Sequence, residues 1–180
     1  ASFRTGFLKV PSQIIRCSDC EKFKDNRCSI DDISPLFRCN VALMDRLVET
    51  LSSGMRVMEI GCGPDDYFKN ACEERGVQWE GIDPRTWDEK RQKPVVATRV
   101  GSVHDIPFED NYFDFVIGNQ TIEHWHEYAV SFDEGLSEIH RILKSGGRVC
   151  LNAPIYLHGH KYFLLNNSEA LASLFRPKYW

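Results

Sequence analysis

The chain has 180 residues, 42% hydrophobic and 27% charged, enough for one buried core with a small appendage. A formal charge of -4 gives no general field for a polyanion, and no local basic patch stands out, so a nucleic-acid partner is not expected. No apolar run approaches the roughly 18 residues of a membrane-spanning helix and no signal-peptide pattern opens the chain. With seven cysteines, an odd number, the expectation is therefore a cytoplasmic protein whose thiols are free or bind metal, without membrane contact.

Residues 1–40 show little apolar periodicity and carry Pro11, Pro35 and four cysteines, Cys17, Cys20, Cys28 and Cys39. Two residues separate Cys17 from Cys20, which lets two thiolates grip one ion, and Cys28 and Cys39 could complete a tetrahedron. Structural zinc is the leading reading of this segment, with an iron–sulfur cluster or free thiols as the alternatives. A second segment, 41–180, has the pattern of a globular domain.

In that segment Val41, Leu43, Met44, Leu47, Val48 and Leu51 recur at helical spacing between an N-cap at Asn40 and a stop at Gly54. A short strand, Arg56 to Ile60, enters a glycine turn, and a helix from about Asp66 to Arg75 ends at Gly76. Val77 to Asp83 reads as a second strand. After a charged crossover from Pro84 to Lys93, Pro94 to Val100 reads as a third strand and Phe113 to Gly118 as a fourth. One long helix is predicted over Tyr128 to Leu143, because Ala129, Phe132, Leu136, Ile139, Ile142 and Leu143 line one face. The turn Ser145-Gly146-Gly147 leads to a fifth strand, Arg148 to Asn152. Strands alternating with helices argue for an α/β fold with a doubly wound, Rossmann-like parallel sheet.

In such sheets ligands bind beyond the carboxyl ends of the strands. The turn Gly61-Cys62-Gly63-Pro64 follows the first strand, where glycines let a backbone come close to a ligand. Asp83 ends the second strand 20 residues later, where a carboxylate can accept bonds from both hydroxyls of a ribose. Together they point to a nucleoside-bearing cofactor. A dinucleotide fingerprint would need a third glycine at position 66, but Asp65 and Asp66 stand there, and two carboxylates at a helix start would repel a pyrophosphate. A cofactor without phosphate is favoured.

Four blocks in order now resemble a known family. VMEIGCGP at Val57 to Pro64, GID at Gly81 to Asp83, GSVHDIPFEDNYFDFVIGNQTIEH from Gly101 to His124, and LSEIHRILKSGGRVCLNAP from Leu136 to Pro154 are similar to the class I S-adenosylmethionine-dependent methyltransferases, in the branch with a methyltransferase type 11-like domain. The resemblance implies strand order 3-2-1-4-5; similar enzymes add two strands past the fifth, and the few residues after Pro154 lead to the expectation that the sheet is reduced or cut short. It also implies that Glu59, Gly61, Cys62 and Gly63 border the methionine part of the cofactor. By the same resemblance Asp83 holds the ribose, Pro84 lies near the adenine, Ser102 and Val103 form the adenine-contact turn, and Asn119 and Gln120 follow the cofactor's amino-acid end. The chain departs from the family at Asp65, where a glycine is usual, and at Ser102, where an acid commonly accepts from the adenine amino group.

The sulfonium methyl is already electrophilic, so the protein mainly has to place an acceptor in line and exclude water. A base is needed only if the acceptor must lose a proton. His124 and His126, after the fourth strand, and His158 and His160, after the fifth, are the candidates, with His124 foremost of the first pair. The expected acceptor is a small molecule. Two other functions fit the residues less fully: a cofactor-binding interaction module without catalysis, and a zinc-dependent nucleic-acid-binding protein.

Overall fold

A computed structural model describes residues 43–152. The helix at 43–49, α1, buries Met44, Leu47 and Val48, and it belongs to a unit separate from the sheet-bearing unit that starts at Leu51. The expected N-cap Asn40 and the four N-terminal cysteines lie outside the described residues.

The second unit contains β1 (Arg56–Ile60), α2 (Tyr67–Glu74), β2 (Gln78–Asp83), β3 (Trp87–Asp88), β4 (Lys93–Pro94), β5 (Arg99–Val100), β6 (Phe113–Asn119), α3 (Phe132–Ile142) and β7 (Leu143–Asn152). Five strands form one parallel sheet in the order β5-β2-β1-β6-β7, the arrangement expected from the sequence. The chain moves outward one way through α2 and the other way through α3. Right-handed crossovers therefore set the two helices on opposite faces, which is what doubly wound means.

Alternation along β1 divides the core accordingly. Met58 and Ile60 join Ile82, Val116, Ile139 and Ile142 in the main apolar cluster. The intervening Glu59 points the other way, and its carboxylate accepts a bond of 2.9 Å from Trp79 Nε1 on β2. All the apolar members of both sets are buried, as a sheet covered on both faces requires.

Three sequence expectations need correction. The third strand is only Arg99–Val100, because part of the crossover before it pairs as a small antiparallel hairpin, Trp87 with Pro94 and Asp88 with Lys93. The helix expected over 128–143 is two elements: a 3₁₀ segment, Ile122–Tyr128, then α3. Ala129 separates them in the left-handed region at φ 56°, and Ser131 restarts the helix. The Ser131 hydroxyl accepts from the Glu134 N–H while the Glu134 carboxylate accepts from the Ser131 N–H, a reciprocal cap whose loss costs about 0.5–2 kcal/mol. The fifth strand begins early, at Leu143. The Ser145-Gly146-Gly147 turn becomes a bulge within it, so that Leu143 faces Phe113 but Arg148 faces Phe115.

Gly135 shows how tightly this half is packed: a Cβ there would come within 2.6 Å of the Trp125 ring. Arg141 then fastens α3 to the loop before β6, donating to the carbonyls of Ile106 and Phe108 and to the carboxylates of Asp110 and Glu138.

Candidate active site

The carboxyl ends of β2, β1 and β6 lie side by side, so the segments that follow them share one edge. The first is the glycine turn. Gly61 and Gly63 both have positive φ, 65° and 63°, a region that a side chain disfavours by about 1–2 kcal/mol. The turn is stitched to β2 by Gly61 N–H to the Ile82 carbonyl (2.7 Å) and Cys62 N–H to the same oxygen (3.3 Å). A Cβ on Gly61 would strike the Thr121 methyl at 2.5 Å, whereas one on Gly63 would meet nothing within 4 Å. Gly63 thus borders open space of the kind a ligand fills.

Beneath the turn, Asp83 is buried and accepts four hydrogen bonds. Gly63 N–H (3.1 Å) and Arg85 Nη2 (3.2 Å) reach Oδ2, while Arg85 N–H (2.9 Å) and Nε (3.0 Å) reach Oδ1. Arg85 also lies 3.6 Å from Asp88, which pairs with Arg91, which in turn reaches Asp65 at 3.6 Å. The Asp65 charge that departs from the family pattern therefore has a cationic partner. Arg85 and this chain of charges were missed at the sequence level; they were visible only as a charged crossover.

Glu59 is the most perturbed acid. Burial raises its pKa from 4.5 to about 8; the Trp79 bond opposes the rise and the Asp65 charge adds to it. The Cys62 thiol is also pushed up strongly, by burial and then by Glu59 and Asp83, so it lies in the turn as a neutral group. Pro84 is exposed beside Asp83. Ser102 Oγ lies 2.9 Å from His104 Nδ1, while the Val103 side chain belongs to the core with Ile82 and Ile106.

Beyond β6 the chain turns sharply at Gln120, whose φ of 56° is unusual for a side-chain-bearing residue. Gln120 N–H donates to Asn152 at the end of β7, to Oδ1 at 2.7 Å and to the carbonyl at 3.2 Å. Asn119 Oδ1 and Thr121 Oγ1 are buried without a hydrogen-bond partner, as is Trp125 Nε1. Thr121 and Asn152 are further residues of this edge that the sequence reading passed over. A polar residue ending a strand was the available signal for Asn152. His124 is partly exposed, with Nδ1 2.7 Å from the Glu127 carboxylate one turn on. Glu123 lies 3.9 Å from its Nε2. His158 and His160 lie outside the described residues.

The geometry therefore brings Glu59, Gly61, Cys62, Gly63, Asp83, Asn119 and Gln120 to one sheet edge. Among the described residues no group of three or more His, Cys, Asp or Glu side chains could hold a metal ion, and no helix is long and apolar enough to cross a membrane.

Comparison with known proteins agrees with this architecture. A family model described as a methyltransferase domain matches residues 35–177. An uncharacterized methyltransferase of Schizosaccharomyces pombe is 28% identical over 142 residues, which are 66% of this chain and 49% of that protein. The chloroplastic 2-methyl-6-phytyl-1,4-hydroquinone methyltransferase of Spinacia oleracea is 35% identical over 69 residues, 37% of this chain and 19% of the other. Among solved structures, phosphoethanolamine N-methyltransferase 2 of Haemonchus contortus, in complex with S-adenosyl-L-methionine, superimposes with a TM-score of 0.55. It shares 24% identity, covering 88% of this chain and 42% of that one, and so speaks for the fold. The chain spans at most about half the length of these relatives.

Proposed function

The chain belongs to the methyltransferase domain family, in the class I group that uses S-adenosylmethionine, and from that premise we propose that it transfers a methyl group to a small-molecule acceptor. The observation that carries this reading is the buried Asp83 carboxylate under an open-sided glycine turn. When bound, the cofactor supplies a methyl group on a sulfonium, ready for attack by an acceptor placed in line with it. The residues present fit such a cofactor. Asp83 turns both oxygens to a paired donor, the Arg85 guanidinium, as it would to a diol; Gly63 leaves room beside it, and Asn119 Oδ1 lacks the partner that an ammonium group would provide.

In this reading Glu59, Gly61, Cys62 and Gly63 lie along the methionine part. Pro84 and the Ser102–Val103 turn flank the adenine, where the Ser102 hydroxyl replaces a charged acceptor. Asn119 and Gln120 hold the amino-acid end. His124 serves as base where the acceptor must lose a proton, and the Glu127 carboxylate at Nδ1 favours the tautomer with Nε2 unprotonated. His158 and His160 are assigned to the acceptor side on sequence grounds alone, as is structural zinc at Cys17, Cys20, Cys28 and Cys39. The small-molecule acceptor is supported by relatives such as the hydroquinone methyltransferase.

Calorimetric titration with S-adenosylhomocysteine, beside NAD as a control, tests the cofactor site. Wild-type protein should bind the former and ignore NAD. Asp83→Ala should lower affinity at least about tenfold, because charge-assisted bonds contribute about 1.5–3 kcal/mol each. Equal binding by Asp83→Ala, in protein whose near-ultraviolet dichroism is native, would sink the assignment.

A further inference from the structure

The four donors on Asp83 are of two kinds. Gly63 N–H and Arg85 N–H are main-chain groups fixed by the fold, while Nε and Nη2 belong to the Arg85 side chain. A carboxylate offers about four lone-pair positions, so all are taken and none remains for a ligand. The two partners differ in freedom: the Asp83 side chain is 1% exposed and that of Arg85 is 46% exposed.

We propose that Arg85 is an internal competitor for the cofactor ribose, and that its release from Asp83 sets cofactor affinity. This rests on the reading of Asp83 as the ribose-binding carboxylate. The guanidinium delivers two N–H groups, one to each oxygen, and a ribose diol delivers two O–H groups, so the exchange is one for one. The two main-chain donors keep their places. The displaced guanidinium does not lose its ionic partner either, because Asp88 Oδ2 already lies 3.6 Å from Nη1 on a side chain only 7% exposed. Arg85 thus passes from one buried acid to the next, and Arg91 holds Asp88 in position to receive it.

The consequence is measurable. A site that is competent only when Arg85 has swung away shows an affinity lowered by the fraction of open molecules. Because the cation of the pair is half exposed, added salt weakens the closed state. S-adenosylhomocysteine is a zwitterion without net charge, so its own encounter with the protein responds little to salt. Higher ionic strength should therefore tighten its binding.

The test is titration of the full chain with S-adenosylhomocysteine from about 0.05 to about 0.5 M salt. The forms compared are wild type, Arg85→Met, which keeps an apolar stem without the guanidinium, and Arg85→Lys, which can satisfy one oxygen at a time. Wild type should bind about twofold to threefold tighter at the higher salt. Arg85→Met should bind about threefold to tenfold tighter than wild type at low salt and lose the salt response, with Arg85→Lys between them. Weaker or unchanged binding by both variants would overturn the competitor, as would a variant salt response equal to that of wild type. Failure of every form to bind would overturn the ribose assignment itself and this inference with it.

Discussion

The two sides of the ligand edge treat their polar groups in opposite ways. On the β1–β2 side the carboxylates have partners: Asp83 accepts four bonds, and Glu59 accepts one from Trp79. On the β6 side Asn119 Oδ1 and Thr121 Oγ1 are buried with no partner. A buried polar atom without a hydrogen bond costs about 1–3 kcal/mol, so the second side carries a cost that the first avoids. The difference teaches what a ligand must do on each side. It has to displace something over β2, whereas over β6 it has only to arrive.

Glu59 gives the largest expected contrast. Its folded pKa of about 8 stands above the ordinary 4.5, so between those values the folded state holds a proton that the unfolded state has lost. Stability from this group is therefore greatest below about pH 4.5, falls as pH rises, and is fully lost above about pH 8. The difference corresponds to at most roughly 5 kcal/mol. Glu59→Gln, which keeps an oxygen for Trp79, should flatten that slope and be the more stable form at about pH 8 by urea unfolding. Parallel curves for the two proteins would show that Glu59 ionises freely despite its partner on the β1–β2 side.

A medium effect is expected where the two sides touch. Gly61→Ala should cost roughly 2–4 kcal/mol, part from the positive φ and part from the Thr121 methyl at 2.5 Å. Adding Thr121→Ser removes that methyl and should recover the steric part alone. Thermal unfolding of the two single variants and the double variant measures the coupling, and strict additivity would separate the two sides.

The smallest effect concerns the unpaired hydroxyl. Thr121→Val keeps the shape and deletes the orphaned oxygen, so the free protein should gain about 1 kcal/mol. A loss in chemical denaturation would mean that the hydroxyl is satisfied in solution, and the contrast between the sides would narrow.

Much of this was legible in the chain. β1 and its glycine turn, β2 ending on Asp83 and β6 ending near Asn119 each followed from a local signal, and parallel pairing then dictated that they share an edge. The break at Ala129 was hidden because the apolar spacing runs straight across it. Ser131 and Glu134, three residues apart, were the local sign of a new helix start, and the periodic pattern masked them. The partners of Arg85 could not be read at all, since pairing among Asp83, Asp88 and Arg91 depends on how the hairpin folds back. Nor does any residue type announce an unpaired hydroxyl, for that is a property of its neighbours.

The crossover between β2 and β5 also bears on how such a protein changes over generations. Its side chains supply none of the apolar cluster, and it is fastened by main-chain bonds, Val96 N–H to the Gly63 carbonyl and Thr98 N–H to that of Gly81. Substitution at Arg85 or Arg91 therefore leaves the apolar cluster and these main-chain bonds in place, and its effect falls on the buried acids Asp83 and Asp88. If Arg85 competes with the ribose, a lineage can retune how much cofactor it needs by drift in this one segment, leaving the sheet and the glycine turn inherited unchanged.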